Sequence, residues 1–175
     1  MTALAAIAGG MVAAFQSTKP AWWERLWYPL HYEQIIRGHA QHYDLDPALL
    51  AAVIYQESKF HSDAHSTSGA IGLMQLLPRT AEGIAVHTGG TTFQVNDLYN
   101  PEINVRYGAW YLHHLVLKYG DERTALAAYN AGQENVDRWR AAGRGIAFAE
   151  TRAYVQRVED LRRIYRRAYA SELGY

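Results

Sequence analysis

The sequence predicts a mainly α-helical single domain with little or no β-structure. Its 175 residues, 49% of them hydrophobic, are enough for one domain with a substantial core. Apolar residues recur at spacings of three and four in several segments, as they do on the buried face of a helix. Aspartate, asparagine, proline and glycine separate these segments at positions that begin or end helices. The sequence contains no internal repeat or low-complexity tract.

The chain divides into an N-terminal segment, residues 1–20, and a domain, residues 21–175. Residues 1–15 are small and apolar, too short to span a bilayer, and lack the positively charged start of a signal peptide. We predict an apolar, flexible segment that is the remnant of a signal or anchor. A genuine short hydrophobic start and a flexible tail are the alternatives, and residues 16–20 are interpreted as a linker.

Three tryptophans, Trp22, Trp23 and Trp27, open the domain. Such a cluster either packs onto the domain or lies at a membrane interface. We favour packing, because the segment leads directly into a helix.

Helix boundaries follow from local signals. Asp46 can cap a helix that has Pro47 at its first position, and Gly132 is a good helix stop. Gly108 would let another helix approach closely. Any strand is expected in the turn-rich loop 87–97 or in the loop after Glu57. The predicted helices are 31–43, 47–57, 78–86, 100–119, 121–131, 133–141 and 150–169.

The composition excludes several classes of function. The formal net charge is zero, so nothing calls for nucleic acid as a partner. Nine of the seventeen basic residues lie between Arg138 and Arg167, which we interpret as a solvated face, the alternative being contact with an anionic wall polymer or membrane. Cysteine is absent, so disulfides and thiolate metal sites are excluded. Two histidine pairs have spacings that could suggest metal ligands, His61 with His65 and His39 with His42. The first of these pairs lies in a loop-like stretch with no clear third ligand, and we therefore predict no metal and no cofactor.

Glu57 is the first candidate for chemistry. It ends the apolar run 48–55, and Val53 and Ile54 lie one turn back, so its carboxyl should be half buried. Burial raises a carboxyl pKa, and a raised pKa suits a general acid. The alternative is an ordinary helix-end carboxylate in water.

Polar and glycine residues after this helix predict a ligand-binding loop. Gly69 and Gly72 would let backbone come close to a ligand, and Gln75 brings an amide with donors and acceptors. Further along, Tyr129 offers a phenol as a donor and Asn130 follows it. The alternative for these two is a core tyrosine and an asparagine near a helix end.

Together these residues resemble a known family. Glu57-Ser58, Ser66, the run 69–75, Pro78 and Thr80-Ala81 resemble the catalytic block of soluble-type (family 1) lytic transglycosylases. The run 128–132 resembles the family's second motif, and Glu150-Thr151-Arg152 with Tyr154-Val155 resembles its third. The resemblance covers residues 28–169. Leu77 departs from it, since many members have a second methionine there.

The resemblance implies a lysozyme-like fold and a site outside the cytoplasm. The expected activity is cleavage of the β-1,4 bond between N-acetylmuramic acid and N-acetylglucosamine in peptidoglycan strands, with 1,6-anhydro ends. Glu57 is the implied acid and later base, Ser66 would orient it, and the phenol of Tyr129 would point toward it. We also expect a monomer and contact with the membrane or envelope machinery. The implied substrate-binding residues are Ser66, Met74, Gln75, Tyr129, Asn130 and Glu150.

Two alternatives remain for the function. One is a hydrolase of the goose-lysozyme kind, in which Asp63 or Asp97 would hold a water. The other is a wall-binding module without catalysis. The intact Glu57 argues against the second, because binding alone does not need it.

Overall fold

The computed structural model describes residues 20–175, and the predicted N-terminal segment lies outside them except for Pro20. The described chain is helical, which confirms the predicted fold class. A 3-10 helix, Val95–Tyr99, precedes α5. The α-helices are α1 Ala21–Trp27, α2 Glu33–His42, α3 Pro47–Ser58, α4 Pro78–Thr88, α5 Pro101–Tyr119, α6 Glu122–Ala131, α7 Gln133–Ala141, α8 Ala149–Ala168 and α9 Ala170–Leu173.

Strand structure in residues 20–175 is limited to isolated bridges in the loop after α3. Ile71 pairs there with both His65 and Leu76. This is one of the two places where the sequence left room for a strand. Within the same described range, no helix has the length and apolar character needed to cross a membrane.

Helix α3 is the centre of the fold. The Asp46 carboxylate accepts a hydrogen bond from the Ala48 amide at 2.9 Å, and Pro47 occupies the first turn, as predicted. Every residue from 48 to 54 is at most 1% exposed. A helix that is apolar on all sides must be covered on all sides, and α8 and α2 both pack on it.

A second, smaller cluster of buried side chains lies beside α5. It includes Ile71, Leu76 and Leu98. Gly108 of α5 does permit a close approach, but the prediction of a partner helix is wrong. A Cβ at this position would overlap the Met74 side chain, so a loop residue occupies the space.

Two of the three N-terminal tryptophans contradict the prediction that they pack onto the domain, whereas the third, Trp23, is half buried. Trp22 is 58% exposed and Trp27 is 62% exposed, so neither ring is packed into the domain. The buried side chain of α1 is Glu24, which pairs with Arg167 of α8 through a 3.0 Å bond from Nε. The ion pair fixes which side of α1 faces the domain, and the indoles of Trp22 and Trp27 lie away from that side.

The last predicted helix, 150–169, is confirmed to within one residue at each end, and a further short helix that was not predicted comes after it. Helix α8 ends at Ala168, and the short α9 follows.

Candidate active site

A cleft of about 380 Å³ lies where the two buried clusters meet. Tyr111 and Tyr129 pack against both clusters, so the cleft follows the seam between them. A wider groove continues from it past Thr80 toward Trp110 and His114. The cleft is lined by Glu57, Ser66, Ser68, Ala70, Gln75, Leu76, Leu77, Thr80, Tyr111, Tyr129, Asn130, Ala131 and Gly132.

Glu57 lies in the last turn of α3 and is half buried, as predicted. Burial raises the pKa of its carboxyl from 4.5 to about 7, while a hydrogen bond from Tyr154 and the charge of Lys59 act in the opposite direction. Near neutral pH both protonation states are therefore populated. A carboxyl in this condition can both give and take a proton.

Tyr154 belongs to the third motif of the resemblance, but the sequence predicts no role for it toward Glu57. Its hydroxyl donates to Oε1 of Glu57 at 2.6 Å. Burial, followed by the charge of Glu57, raises the pKa of Tyr154 well above its usual value, so the phenol remains a donor. The residues that recur at helical spacing in the sequence of α8 are Tyr154, Val158, Leu161, Tyr165 and Ala168. This periodicity predicts a core position for Tyr154. A phenol within an apolar stripe needs a hydrogen-bond partner, and that was the available signal.

Tyr129 has a different partner from the predicted one. Its hydroxyl donates to the backbone oxygen of Met74 at 2.8 Å. Burial first, and then the negative charge of Glu57, raises the pKa of Tyr129 well above its usual value. Its phenol therefore stays protonated close to Glu57, but the hydrogen bond holds the loop after α3.

Asn104 fixes the same loop from α5. Its Nδ2 donates to the backbone oxygens of Ile71 (2.9 Å) and Leu98 (2.8 Å), and its Oδ1 accepts from the Met74 amide at 2.8 Å. Gly72 has φ 79°, and a Cβ there would overlap both the Asn104 side chain and the Leu98 backbone oxygen. Only glycine satisfies both constraints, so this part of the loop is rigid.

The structure corrects one predicted substrate contact, that of Met74, and the predicted orienting role of Ser66. Met74 is fully buried against Gly108, so its side chain cannot touch a ligand in this structure, and its contribution is its backbone. Ser66 Oγ accepts from the Ala70 amide at 2.9 Å and lies 3.1 Å from Ser68 Oγ. It stabilises the loop and lines the cleft, whereas the hydroxyl that orients Glu57 belongs to Tyr154.

Gln75 and Asn130, two of the predicted substrate-binding residues, line the cleft. The Gln75 amide nitrogen donates to the backbone oxygens of Ala64 (3.1 Å) and Gly72 (2.9 Å). Asn130 Oδ1 accepts from Thr151 Oγ1 at 2.9 Å, which joins α6 to α8. Both side chains are thus held by the fold before any ligand arrives.

Other carboxylates lie away from Glu57. Glu150 is exposed in the first turn of α8, outside the cleft lining. Asp63 is exposed, and Asp97 accepts from the Gln94 amide at 2.8 Å at the start of the 3-10 helix. Among the described residues that line the cleft, Glu57 is the one carboxylate. Residues 20–175 contain no group of three or more histidine, cysteine or acidic side chains that could hold a metal.

Comparisons with known proteins identify relatives of this chain. The family model for the transglycosylase SLT domain matches residues 34–150. The soluble lytic murein transglycosylase of Salmonella typhimurium is 32% identical over 169 residues, covering 78% of this chain and 25% of the relative. Membrane-bound lytic murein transglycosylase F of Yersinia pestis is 40% identical over 108 residues, covering 58% of this chain and 20% of the relative.

The comparison with solved structures also finds lytic transglycosylases. The X-ray structure of an inactive glutamate-to-glutamine mutant of lytic transglycosylase Slt from Pseudomonas aeruginosa superposes with a TM-score of 0.76 and 33% identity. The match covers 84% of this chain and 26% of that one. This chain therefore spans about a quarter of the length of the relatives it matches.

Proposed function

Because this chain belongs to the transglycosylase SLT domain family, we propose that it is a peptidoglycan lytic transglycosylase with Glu57 as its acid and base. It cleaves the β-1,4 bond from N-acetylmuramic acid to N-acetylglucosamine and leaves 1,6-anhydro ends. The observation that carries the proposal is the one carboxyl that lines the cleft within residues 20–175, which is buried enough to bring its pKa to about 7 and is held by a phenol. That the inactive Pseudomonas relative is a glutamate-to-glutamine mutant supports an essential glutamate.

In the first step, protonated Glu57 gives its proton to the glycosidic oxygen and the bond to the anomeric carbon breaks. Tyr154 donates to Oε1, so Oε2 carries the proton that is transferred. The carboxylate that results accepts a short, charge-assisted bond from the same phenol, which stabilises it. Tyr154 thus holds the acid in one orientation and favours its ionised form as the proton leaves.

In the second step, the Glu57 carboxylate takes the proton of the muramyl 6-hydroxyl, whose oxygen attacks the anomeric carbon. The ring closes, Glu57 is protonated again, and no water is consumed. A hydrolase with two carboxylates needs the second about 5–9.5 Å from the first, and no second acidic side chain lines this cleft in residues 20–175. The acetamido group of the substrate would stabilise the positive charge instead.

The remaining cleft residues would bind the strand. Gln75 and Asn130 are preorganised polar groups, and Tyr111 and Tyr129 offer aromatic surface beside Glu57. The groove past Thr80 toward Trp110 gives space for further sugars. Because peptidoglycan lies outside the cytoplasm, the protein would act there, as a monomer.

Product analysis tests the proposal. Purified sacculi are digested in heavy-oxygen water and the muropeptides are weighed by mass spectrometry. We expect ends lighter by one water than reducing ends and without the heavy label. Mainly labelled reducing ends would instead support the goose-type hydrolase. If sacculi that a known lysozyme digests give no products, the wall-binding module is favoured.

A further inference from the structure

Helix α1 presents an aromatic surface that the catalytic proposal does not use. Trp22, Leu26 and Trp27 are all more than half exposed, and at about 3.6 residues per turn they fall within an arc of about 140° around the helix. Both outer indoles contact Trp23, at ring-centroid distances of 5.8 Å and 6.2 Å. We call Trp22, Leu26 and Trp27 the tryptophan face.

The opposite side of α1 is firmly attached to the domain. Glu24 is 3% exposed and pairs with Arg167. Arg25 Nε donates to the Ala168 backbone oxygen at 2.9 Å, and the Tyr55 hydroxyl donates to the Trp27 backbone oxygen at 2.9 Å. A helix held by these bonds keeps its indoles in a fixed outward position.

We propose that the tryptophan face is a lipid-binding surface that places these side chains in the headgroup region of an anionic bilayer. Indole rings favour that region, because they combine a large apolar area with a polar N–H. The sequence before α1 supports this occupant. Residues 1–15 contain no charged side chain, and only residues 16–21 separate them from Trp22.

Cations beside α1 complement an anionic lipid surface. Lys59 is exposed, and its Nζ lies 4.1 Å from the ring centroid of Tyr55, the residue that bonds to the end of α1. Arg157 is also exposed and interacts electrostatically with both Tyr55 and Lys59. Lysine and arginine next to an apolar anchor add attraction to anionic headgroups.

Lipid binding at this surface would hold the cleft close to the membrane. Tyr55 and Glu57 are two residues apart at the end of α3, and they reach in different directions. Tyr55 reaches α1, whereas Glu57 reaches the cleft. Lipid binding is measured without substrate, so it stands or falls separately from the catalytic proposal.

The test is co-sedimentation of the full chain with vesicles of equal parts phosphatidylethanolamine and phosphatidylglycerol, and with phosphatidylcholine alone. We expect stronger binding to the anionic vesicles. The double variant Trp22→Ser/Trp27→Ser should lower the partition coefficient by about tenfold or more, since two large apolar rings are lost from the contact. Leu117→Ser, on α5, removes a leucine that is 69% exposed, as Leu26 is, and should leave binding unchanged.

Because all three proteins carry residues 1–15, a difference between them reports on the tryptophan face. Equal binding by wild type and double variant overturns the proposal, and so does no binding by the wild type. A wild-type dimer in lipid-free sedimentation velocity that the double variant abolishes would assign the face to a second copy. If iodide quenches the tryptophan fluorescence only after residues 1–19 are deleted, the tryptophan face would be assigned to binding that segment. If the double variant melts early, Leu26→Ser replaces it in the same comparison.

Discussion

The hydroxyl of Tyr154 donates to Oε1 of Glu57 at 2.6 Å, although the two residues are ninety-seven positions apart in the chain. The bond joins the end of the central helix α3 to the first turns of α8. It places a neutral donor against the one carboxyl of the cleft lining within residues 20–175. The site therefore depends on how α8 packs on α3, the pair of helices that also forms much of the core.

Glu57→Gln should keep the fold and reduce the rate by at least about a hundredfold, the usual scale for a lost general acid. The amide is of similar size and can still accept from Tyr154, so the structure has little reason to change. Turbidity clearance of cell walls measures the rate, and circular dichroism checks the fold. Near-normal clearance by the variant would refute the role given to Glu57.

Stability should fall as pH rises through the range in which Glu57 titrates. Burial raises the pKa of this carboxyl from 4.5 to about 7, so the folded state keeps a proton that the unfolded chain has lost. The stabilisation that this proton gives to the folded state is fully present below about pH 4.5, decreases between about pH 4.5 and about pH 7, and is absent above that range. It amounts to at most about 3 kcal/mol.

Urea unfolding of the wild type and Glu57→Gln at pH values from about 4 to 8 isolates this contribution. The amide side chain of the variant cannot titrate. As pH rises, the free energy of unfolding of the wild type should therefore decrease relative to that of the variant. A constant difference across the range would mean that the pKa of Glu57 is not raised. The rate on cell walls should also decline above about pH 7, where the acid is ionised.

Tyr154→Phe should lower the rate and move the alkaline limb of the pH–rate profile to higher pH. The ionised form of Glu57 loses its hydrogen-bond donor in this variant, so the pKa of Glu57 rises. Tyr165→Phe is the matched control. It removes a hydroxyl from the same helix that donates to the Pro29 backbone oxygen at 3.0 Å. The control should lose some melting temperature and leave the pH profile in place. Identical profiles for wild type and Tyr154→Phe would reduce Tyr154 to a packing residue.

Tyr129→Phe should lower both rate and stability. The Met74 backbone oxygen would lose its donor, at a cost of about 1–3 kcal/mol for an unsatisfied buried group. Chemical denaturation and cell-wall clearance measure the two effects. If stability is unchanged, the bond to Met74 is not what holds the loop.

Gly72→Ala should be far more destabilising than Gly69→Ala. Both glycines have positive φ, 79° and 85°, so both substitutions carry about 1 kcal/mol or more of backbone strain. At Gly69 the added Cβ meets nothing within 4 Å, whereas at Gly72 it overlaps the Asn104 side chain and the Leu98 backbone. The melting temperatures of the two variants test this prediction. Equal losses would show that the side chain of Asn104 and its hydrogen-bond partners can shift at little cost.

Local signals made much of the fold predictable from sequence. Helix α3 begins at Pro47 behind the Asp46 cap, and α6 ends before Gly132, because caps and stops depend on a few adjacent residues. Glu57 could be identified in the same way. An apolar run that ends in a carboxylate indicates burial whatever the rest of the chain does, and the half-buried position of Glu57 agrees with it.

Only the tertiary structure decided what lies opposite each side chain. Periodicity assigned Tyr154 to a buried face, but it could not say that Glu57 faces it. Periodicity also could not reveal that Met74 fills the space above Gly108. Nor could it reveal that the pairing of Glu24 leaves Trp22 and Trp27 facing outward. The physical reason is that helix propensity and amphipathicity are properties of neighbours in sequence. Hydrogen bonds between helices depend on how segments far apart in the chain pack together.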